Sequence, residues 1–470
     1  MDKKKNNNSV KAIKSAFWYT ISSFINRGVS FITTPIFTRM LTKEDYGAAG
    51  NFNSWVSILA IVATLHLESA CARAKFDYKD DFDGYISSTV CCGSLVSALF
   101  YACILIAPDF FSKLFNIDLT YLHVLCLVLI FSPAFDMFQI KLRYEYRYVI
   151  SVAISLTMMI VSTLTGVVLV HLCSDKLFGR IMGANIPKIL VYITIFCIVL
   201  FKGRKFFVKE YWKYAILYSL PIIPHLLSNV ILGSSDKIMI LKIEGKEAAG
   251  IYTLAYSCGM LVSILMNSFN RAMTPWLSEK LYEKDYDLVK KVNRWYIAGF
   301  IFLVEGMILV APELMYFIGG SKYAGAEYLV APVMLGYGFK FAYTNYVNVE
   351  QFEKKTGIVS IGTLIAAGFN FITNLIFIPI FGYQAAAYTT LAGFMMLLLM
   401  HYFACKKIGF GHVYDNRFTF EAVTGMLVIG LASQLLFANT FIRWAIIVLV
   451  SGIGLVIAYN LFKKFRKKVA

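Results

Sequence analysis

Residues 24–47 read FINRGVSFITTPIFTRMLTKEDYG, a run that is apolar enough for a membrane interior although it contains two arginines. A helix needs about 20 residues to cross the hydrocarbon core, and this run and the residues before it provide them. Arg27 lies inside the apolar run, where a charged side chain is costly and by default faces a partner or a water-filled cavity. The stretch therefore predicts a transmembrane helix with one polar face. It ends in KEDYG, a segment that recurs later in the chain.

Apolar runs of similar length continue along all 470 residues. The chain is 58% hydrophobic and 16% charged, and its mean hydropathy is +0.65. Such values lie outside the range of soluble globular proteins and predict an all-α polytopic membrane protein. We predict fourteen transmembrane helices, over residues 15–41, 47–72, 85–108, 119–140, 148–173, 179–201, 215–241, 248–275, 292–318, 328–350, 357–380, 383–405, 420–438 and 441–462.

Three short segments recur in order at displacements of 203 or 204 residues. The pairs are KEDYG (43–47) with KEAAG (246–250), LIAPDFF (105–111) with LVAPELM (309–315), and GRIMGA (179–184) with GYQAAA (382–387). A constant displacement indicates a duplicated six-helix unit. Because six is even, the two copies cross the membrane in the same direction and form parallel bundles. The predicted parts are an N-terminal bundle, a basic cytoplasmic linker, a C-terminal bundle, and two extra helices with a basic tail, over residues 1–201, 202–214, 215–405 and 406–470.

The net charge of +17 reflects 45 Lys and Arg against 28 Asp and Glu. Most of the basic residues fall in alternate loops between the predicted spans. The positive-inside rule then places both termini in the cytoplasm. The charge is explained by topology, so nucleic acid is not expected as a partner. The nine cysteines lie in or beside the spans without a C-x-x-C motif, and no metal site is predicted.

Polar residues recur at helical spacing along one side of several spans. In the first span, Ser30 and Thr34 follow Arg27 at intervals of three and four residues, which places them on one stripe. Together the stripes predict a cationic cavity between the two bundles, and Arg binds phosphate groups in a bidentate manner. The candidates for binding a phosphate or diphosphate are Arg27, Arg271 and Lys340. The other candidates, for lining the cavity or for ion coupling, are Ser30, Thr34, Glu68, Asn229, Asp236, Lys237, Asn267, Asn270 and Glu305.

Other roles for these charges remain open at this stage. Arg27 could pair with Glu68 or Glu305 instead of binding a phosphate, and Asp236 could pair with Lys237. Arg271 and Lys340 could extend to the cytoplasmic interface. No phosphate loop occurs in the sequence, so an ATP-driven pump within this chain is excluded. We assign no catalytic residue and no cofactor, and we expect a transporter, with coupling to protons or sodium left open.

Two runs carry a family resemblance: SSFINRGVSFITTPIFTRMLTKEDYGAAGNFNSW from residue 22 and SDKIMILKIEGKEAAGIYTLAYS from residue 235. They resemble the Wzx-type polysaccharide flippases of the multidrug/oligosaccharidyl-lipid/polysaccharide exporter superfamily, which also contains the lipid II flippases and the MATE transporters. The resemblance covers the twelve-helix core. It implies a bacterial inner-membrane protein that moves undecaprenyl-diphosphate-linked repeat units outward for O-antigen or capsule synthesis.

The same resemblance implies partners and site residues. Partners would be the lipid-linked glycan, membrane lipids, and a polysaccharide polymerase with its chain-length regulator. By position, Arg27 and Arg271 best match the cavity cations of relatives, and Lys340 matches more weakly. The last two helices resemble the extra pair that forms a lipid-tail groove in lipid II flippases.

Two other functions compete with a flippase. A cation-coupled multidrug exporter of the same fold would favour acidic cavity residues, whereas Arg and Lys predominate in this predicted cavity. A membrane polysaccharide polymerase or ligase would usually present a large outer loop, and the predicted outer loops here are short.

Overall fold

The computed structural model describes residues 25, 28–29, 31–449 and 451–452. Helices joined by short turns make up this part of the chain, and it contains no strand. Contacts between Cα atoms divide the chain into two units. Unit 1 comprises residues 1–254 and 360–386, and unit 2 comprises residues 255–359 and 387–470. The all-α prediction is confirmed. The predicted bundle boundaries stay predictions.

Unit 1 holds the first seven predicted spans. Its helices are α1 (31–40), α2 (Lys43–Val62), α3 (Cys71–Asp77), α4 (Phe82–Ile106), α5 (Pro108–Phe115), α6 (Leu119–Tyr144), α7 (Tyr148–Leu172), α8 (Lys176–Gly203), α9 (Lys209–Ser219), α10 (Ile223–Glu244), the start of α11 (Lys246–Glu283) and most of α15 (Thr356–Phe381). Unit 2 holds the rest of α11, with α12 (Tyr286–Leu309), α13 (Ala311–Gly319), α14 (Glu327–Phe352), most of α16 (Gln384–Lys407), α17 (Asn416–Ala432) and α18 (Thr440–Leu449).

The helices follow the predicted spans closely. In the described part of the chain, nine helices are long and apolar enough to cross a membrane, and two bent helix pairs pass the same test together. A further helix, α14, coincides with the tenth predicted span, 328–350. The first and last predicted spans, 15–41 and 441–462, lie partly outside the described residues.

Both bent pairs turn by 52° at a short break. One break separates α9 from α10 around Pro221, where proline removes a backbone donor. The other follows α2, where Leu65 and His66 have left-handed φ angles of 54° and 44°. Non-glycine residues adopt this region at a cost of about 1–3 kcal/mol. The break after α2 is therefore a built-in feature of the span, and Glu68 follows it directly.

The KEDYG segment forms the start of α2, and Thr42, just before it, is the N-cap of the helix. The Thr42 hydroxyl accepts a hydrogen bond of 3.0 Å from the backbone nitrogen of Asp45. The Asp45 carboxylate in turn accepts one of 3.3 Å from the Thr42 nitrogen. This reciprocal pair is a capping box, which satisfies two backbone donors at the helix end.

The recurring segments KEDYG and KEAAG contact each other inside unit 1. A Cβ atom added at Gly47 would collide with the carbonyl oxygen of Lys246, and one added at Gly250 would collide with that of Lys43. The Lys43 ammonium lies 2.9 Å from a carboxylate oxygen of Glu247. Reciprocal contacts of this kind are characteristic of a two-fold axis. These contacts join the start of α2 to the start of α11.

The appended helices α17 and α18 pack within unit 2. A Cβ atom added at Gly430 would lie 2.7 Å from Leu335 and 3.1 Å from Ile308, so α17 fits closely against α14 and α12. Arg443 is 2% exposed, forms an ion pair with Glu313 and donates 2.8 Å to the Leu309 carbonyl. These contacts join α18 to α12 and α13.

Candidate substrate site

The polar stripe of α1 is described only in part. Arg27 and Ser30 lie outside the described residues, so their predicted roles stay predictions. Further along the stripe, Thr34 is half-buried. Thr38 is fully buried and donates 3.1 Å to the Pro35 carbonyl.

Glu68 lies just beyond the break that follows α2. One of its oxygens is 2.6 Å from Nδ1 of His66. The other is buried and has no hydrogen-bond partner among the described residues. An incompletely paired carboxylate inside a membrane span is an expensive arrangement, and it keeps Glu68 a candidate for ion coupling.

Asp236 belongs to a buried polar cluster in unit 1. One of its oxygens accepts 2.6 Å from the Asn374 amide, and the other accepts 2.7 Å from the Tyr252 hydroxyl. Asn374 also donates 3.3 Å to Asn370. Asp236 therefore joins α10 to α11 and α15. The neighbouring Lys237 is half-buried.

Sequence reasoning did not include the two asparagines of α15. They are four residues apart and therefore share one helix face. Both are fully buried. Two amides at this spacing in an apolar span could have indicated a polar helix face. Nothing in the sequence, however, connects Asn374 with Asp236, which is 138 residues away.

Two asparagine candidates, one on α10 and one on α11, form hydrogen bonds within their own helix. Asn229 is exposed and donates 3.1 Å to the His225 carbonyl one turn earlier. Asn267 donates 3.4 Å to the Ser263 hydroxyl. These bonds use part of the hydrogen-bonding capacity of each amide, and the cavity roles of Asn229 and Asn267 stay predictions.

Polar faces of α11 and α14 meet within unit 2. The Asn348 amide donates 2.8 Å to Asn270, and Arg271, which follows Asn270, is exposed. Lys340 lies two turns before Asn348 on α14. Its ammonium is 5.9 Å from the Tyr337 ring centroid and 5.5 Å from that of Phe394. In the described part of the chain, neither Arg271 nor Lys340 forms an ion pair with a carboxylate.

Glu305 has an unusual environment on α12. Both of its carboxylate oxygens are buried and accept no hydrogen bond from any described residue. A Cβ atom added at Gly430 of α17 would lie 3.3 Å from one of them. A buried polar group without a partner costs free energy, so Glu305 stays a candidate for binding a proton or another cation.

A buried histidine–glutamate pair in unit 2 was not predicted from the sequence. His401 of α16 and Glu350 of α14 are 1% and 0% exposed, and His401 Nδ1 lies 2.9 Å from a Glu350 oxygen. The Tyr343 ring stacks on His401 at 5.4 Å. Neither residue lies on a recognisable polar stripe, because the pair is enclosed between apolar faces.

Comparisons with known proteins agree with this architecture. Residues 12–281 match a family described as polysaccharide biosynthesis protein. The chain is 23% identical over 434 residues to Lsg locus putative protein 1 of Haemophilus influenzae, covering 85% of this chain and 99% of that protein. It is 21% identical to an uncharacterized membrane protein of Methanocaldococcus jannaschii, covering 87% and 86%.

Two solved structures share the fold. The lipid II flippase MurJ in an inward closed conformation aligns with a TM-score of 0.71 and 15% identity, covering 94% of this chain and 99% of MurJ. A multidrug resistance MATE family transporter in an inward-facing conformation aligns with a TM-score of 0.55 and 15% identity, covering 84% and 94%. With its family match extending over more than half of its length, the chain belongs to the polysaccharide biosynthesis protein family.

Proposed function

We propose that this protein is a flippase that carries undecaprenyl-diphosphate-linked oligosaccharide repeat units across the bacterial inner membrane. The glycan would leave the cytoplasmic leaflet and supply O-antigen or capsule synthesis, with a polymerase and a chain-length regulator acting next. The two termini would lie in the cytoplasm. Membership of a polysaccharide biosynthesis family and the fold shared with MurJ support a lipid-linked glycan as the cargo.

The observation that carries the proposal is the pair of cations in unit 2. Arg271 and Lys340 lie on helices whose polar faces meet through Asn270 and Asn348. Neither forms an ion pair with a described carboxylate. Intramembrane cations without a carboxylate partner are expected to serve a ligand. A diphosphate supplies the opposite charge and accepts several hydrogen bonds.

Arg27 would be the third diphosphate ligand. Its position on the stripe with Ser30 and Thr34 supports this role, and so does the resemblance described above. Movement of the two bundles against one another would expose the cargo to alternate sides. Protons or sodium ions are the candidate driving ions, and Glu68, Asp236 and Glu305 are the carboxylates available to bind them.

Glycan export by a flippase-null strain that expresses this protein or its variants tests the proposed diphosphate ligands. The Arg27→Ala, Arg271→Ala and Lys340→Ala variants should each lose most export, because the diphosphate loses a charged ligand. Lys202→Gln is the matched control, since Lys202 is exposed at the end of α8 and should export normally. Immunoblots of the membrane fraction establish equal protein amounts. Normal export by all three alanine variants would contradict the proposed site.

A multidrug exporter is the competing function, supported by the fold shared with a MATE transporter. Expression in a drug-sensitised host distinguishes the two. We expect no gain in resistance to cationic aromatic drugs. Resistance that disappears on Glu305→Gln, together with failure to export glycan, would favour the drug exporter.

A further inference from the structure

Two cations on α8 have no role in the site described above. Arg180 lies one turn into the helix and Lys188 lies near its middle, and both are half-buried. Eight residues correspond to about 12 Å along a helix axis. Both side chains are basic, so their positive potentials add in this part of unit 1.

Arg180 is held in place by packing. The carbon at the centre of its guanidinium lies 3.8 Å from the centroid of the buried Phe37 ring of α1. A Cβ atom added at Gly166 of α7 would lie 3.5 Å from one of its terminal nitrogens. The guanidinium is therefore fitted between α1 and α7. Such a stacked position leaves the in-plane N–H groups available to an acceptor.

No described carboxylate neutralises either cation. Neither Arg180 nor Lys188 takes part in any of the ion pairs of the described residues. The parts of the chain outside the described residues contain a single acidic residue, Asp2. Cations inside a membrane unit that have no described carboxylate partner are candidates for binding an anionic ligand.

We propose that Arg180 and Lys188 form an oxyanion site for a negatively charged group of the cargo, additional to Arg27, Arg271 and Lys340. This inference rests on the proposed flippase function. The oxyanion is either a carboxylate of an acidic sugar or the diphosphate of the carrier, which present the same chemistry to Arg and Lys. Because the two cations lie eight residues apart on α8, they would bind the anion at two successive depths in the membrane.

Export of two cargoes on the same lipid carrier distinguishes the sources. One repeat unit contains a hexuronic acid and the other is neutral. The variants are the double substitution Arg180→Gln with Lys188→Gln, the conservative double Arg180→Lys with Lys188→Arg, and the control Lys202→Gln on the same helix. For a sugar carboxylate, the glutamine variant should export the acidic unit at least about tenfold less than wild type and the neutral unit normally. For the diphosphate, export of both units should fall together. The conservative variant should retain export in either case.

Normal export of both cargoes by the glutamine variant, at equal membrane levels, would overturn the oxyanion site. If the wild-type chain exports neither cargo, the proposed flippase function fails. Anion binding then tests the site formed by Arg180 and Lys188. Thermal unfolding of the purified full chain with inorganic pyrophosphate or D-glucuronate is the measurement. At least one of these anions should stabilise wild type more than the glutamine variant. Equal stabilisation of both proteins would reject the site.

Discussion

At the scale of single residues, burial decides which charges are structural. Glu350 and His401 are almost completely buried, and His401 Nδ1 lies 3.0 and 2.9 Å from the two Glu350 carboxylate oxygens. Glu313, in contrast, keeps part of its surface exposed although it pairs with Arg443. A fully buried pair is costly to separate because the remaining group is left without compensation.

We therefore expect Glu350→Ala to destabilise the protein strongly, by about 3 kcal/mol or more. The His401 Nδ1 atom would lose its partner, and its Nε2 atom already has none among the described residues. Thermal unfolding of the detergent-solubilised protein measures the change. Glu279→Ala is the control, since Glu279 is exposed and should shift stability by less than about 0.5 kcal/mol. Equal melting temperatures for the two variants would contradict a structural pair.

Asp415, in the connection before α17, should give stability a dependence on acid pH. Its carboxylate accepts 3.1 Å from the Phe418 backbone nitrogen and 2.6 Å from Arg294 Nε. The backbone hydrogen bond and then Arg294 hold the pKa of Asp415 below its ordinary value. Because the folded-state pKa is lower, this stabilisation is present above the unfolded pKa of about 3.9 and is lost as pH falls through the folded value.

The test compares melting temperatures of wild type and Asp415→Asn between pH 3 and pH 7. Asparagine keeps the helix cap but cannot carry the charge. The advantage of wild type should be greatest near neutral pH and should shrink toward the acid end. Asp287→Asn serves as control because Asp287 is fully exposed. A difference that stays constant with pH would refute the role of ionised Asp415.

At the scale of helices, most of the fold was predictable from hydropathy. Predicted span 119–140 corresponds to α6, and span 357–380 corresponds to α15. The break after α2 was missed, because Leu65 and His66 are neither glycine nor proline. The contact of Asp236 with Asn374 was missed because it depends on tertiary packing.

The contact between α2 and α11 leads to a prediction for this helix pair. Gly47→Ala should destabilise the protein by about 1–3 kcal/mol, because the added methyl group meets the Lys246 backbone, which cannot move aside as a flexible side chain would. Gly299→Ala is the control: a Cβ atom there has no neighbour within 4 Å, and alanine favours the helix. Unfolding of both variants in detergent measures the difference. Gly47→Ala as stable as Gly299→Ala would show that α2 and α11 do not need this close approach.

At the scale of the whole molecule, the distribution of basic residues predicts which side of the membrane each loop faces. The predicted topology places Lys113 of α5 outside and Lys355, between α14 and α15, in the cytoplasm; both are exposed. We expect Lys113→Cys to react with a membrane-impermeant maleimide in spheroplasts, and Lys355→Cys to react only after permeabilisation. Cys91, Cys103, Cys173 and Cys197, the cysteines that are not buried, are first replaced by alanine. The opposite labelling pattern would invert the topology. The first turn of α8, and Arg180 with it, would then face the cytoplasm, and an outgoing anion would meet Arg180 before Lys188.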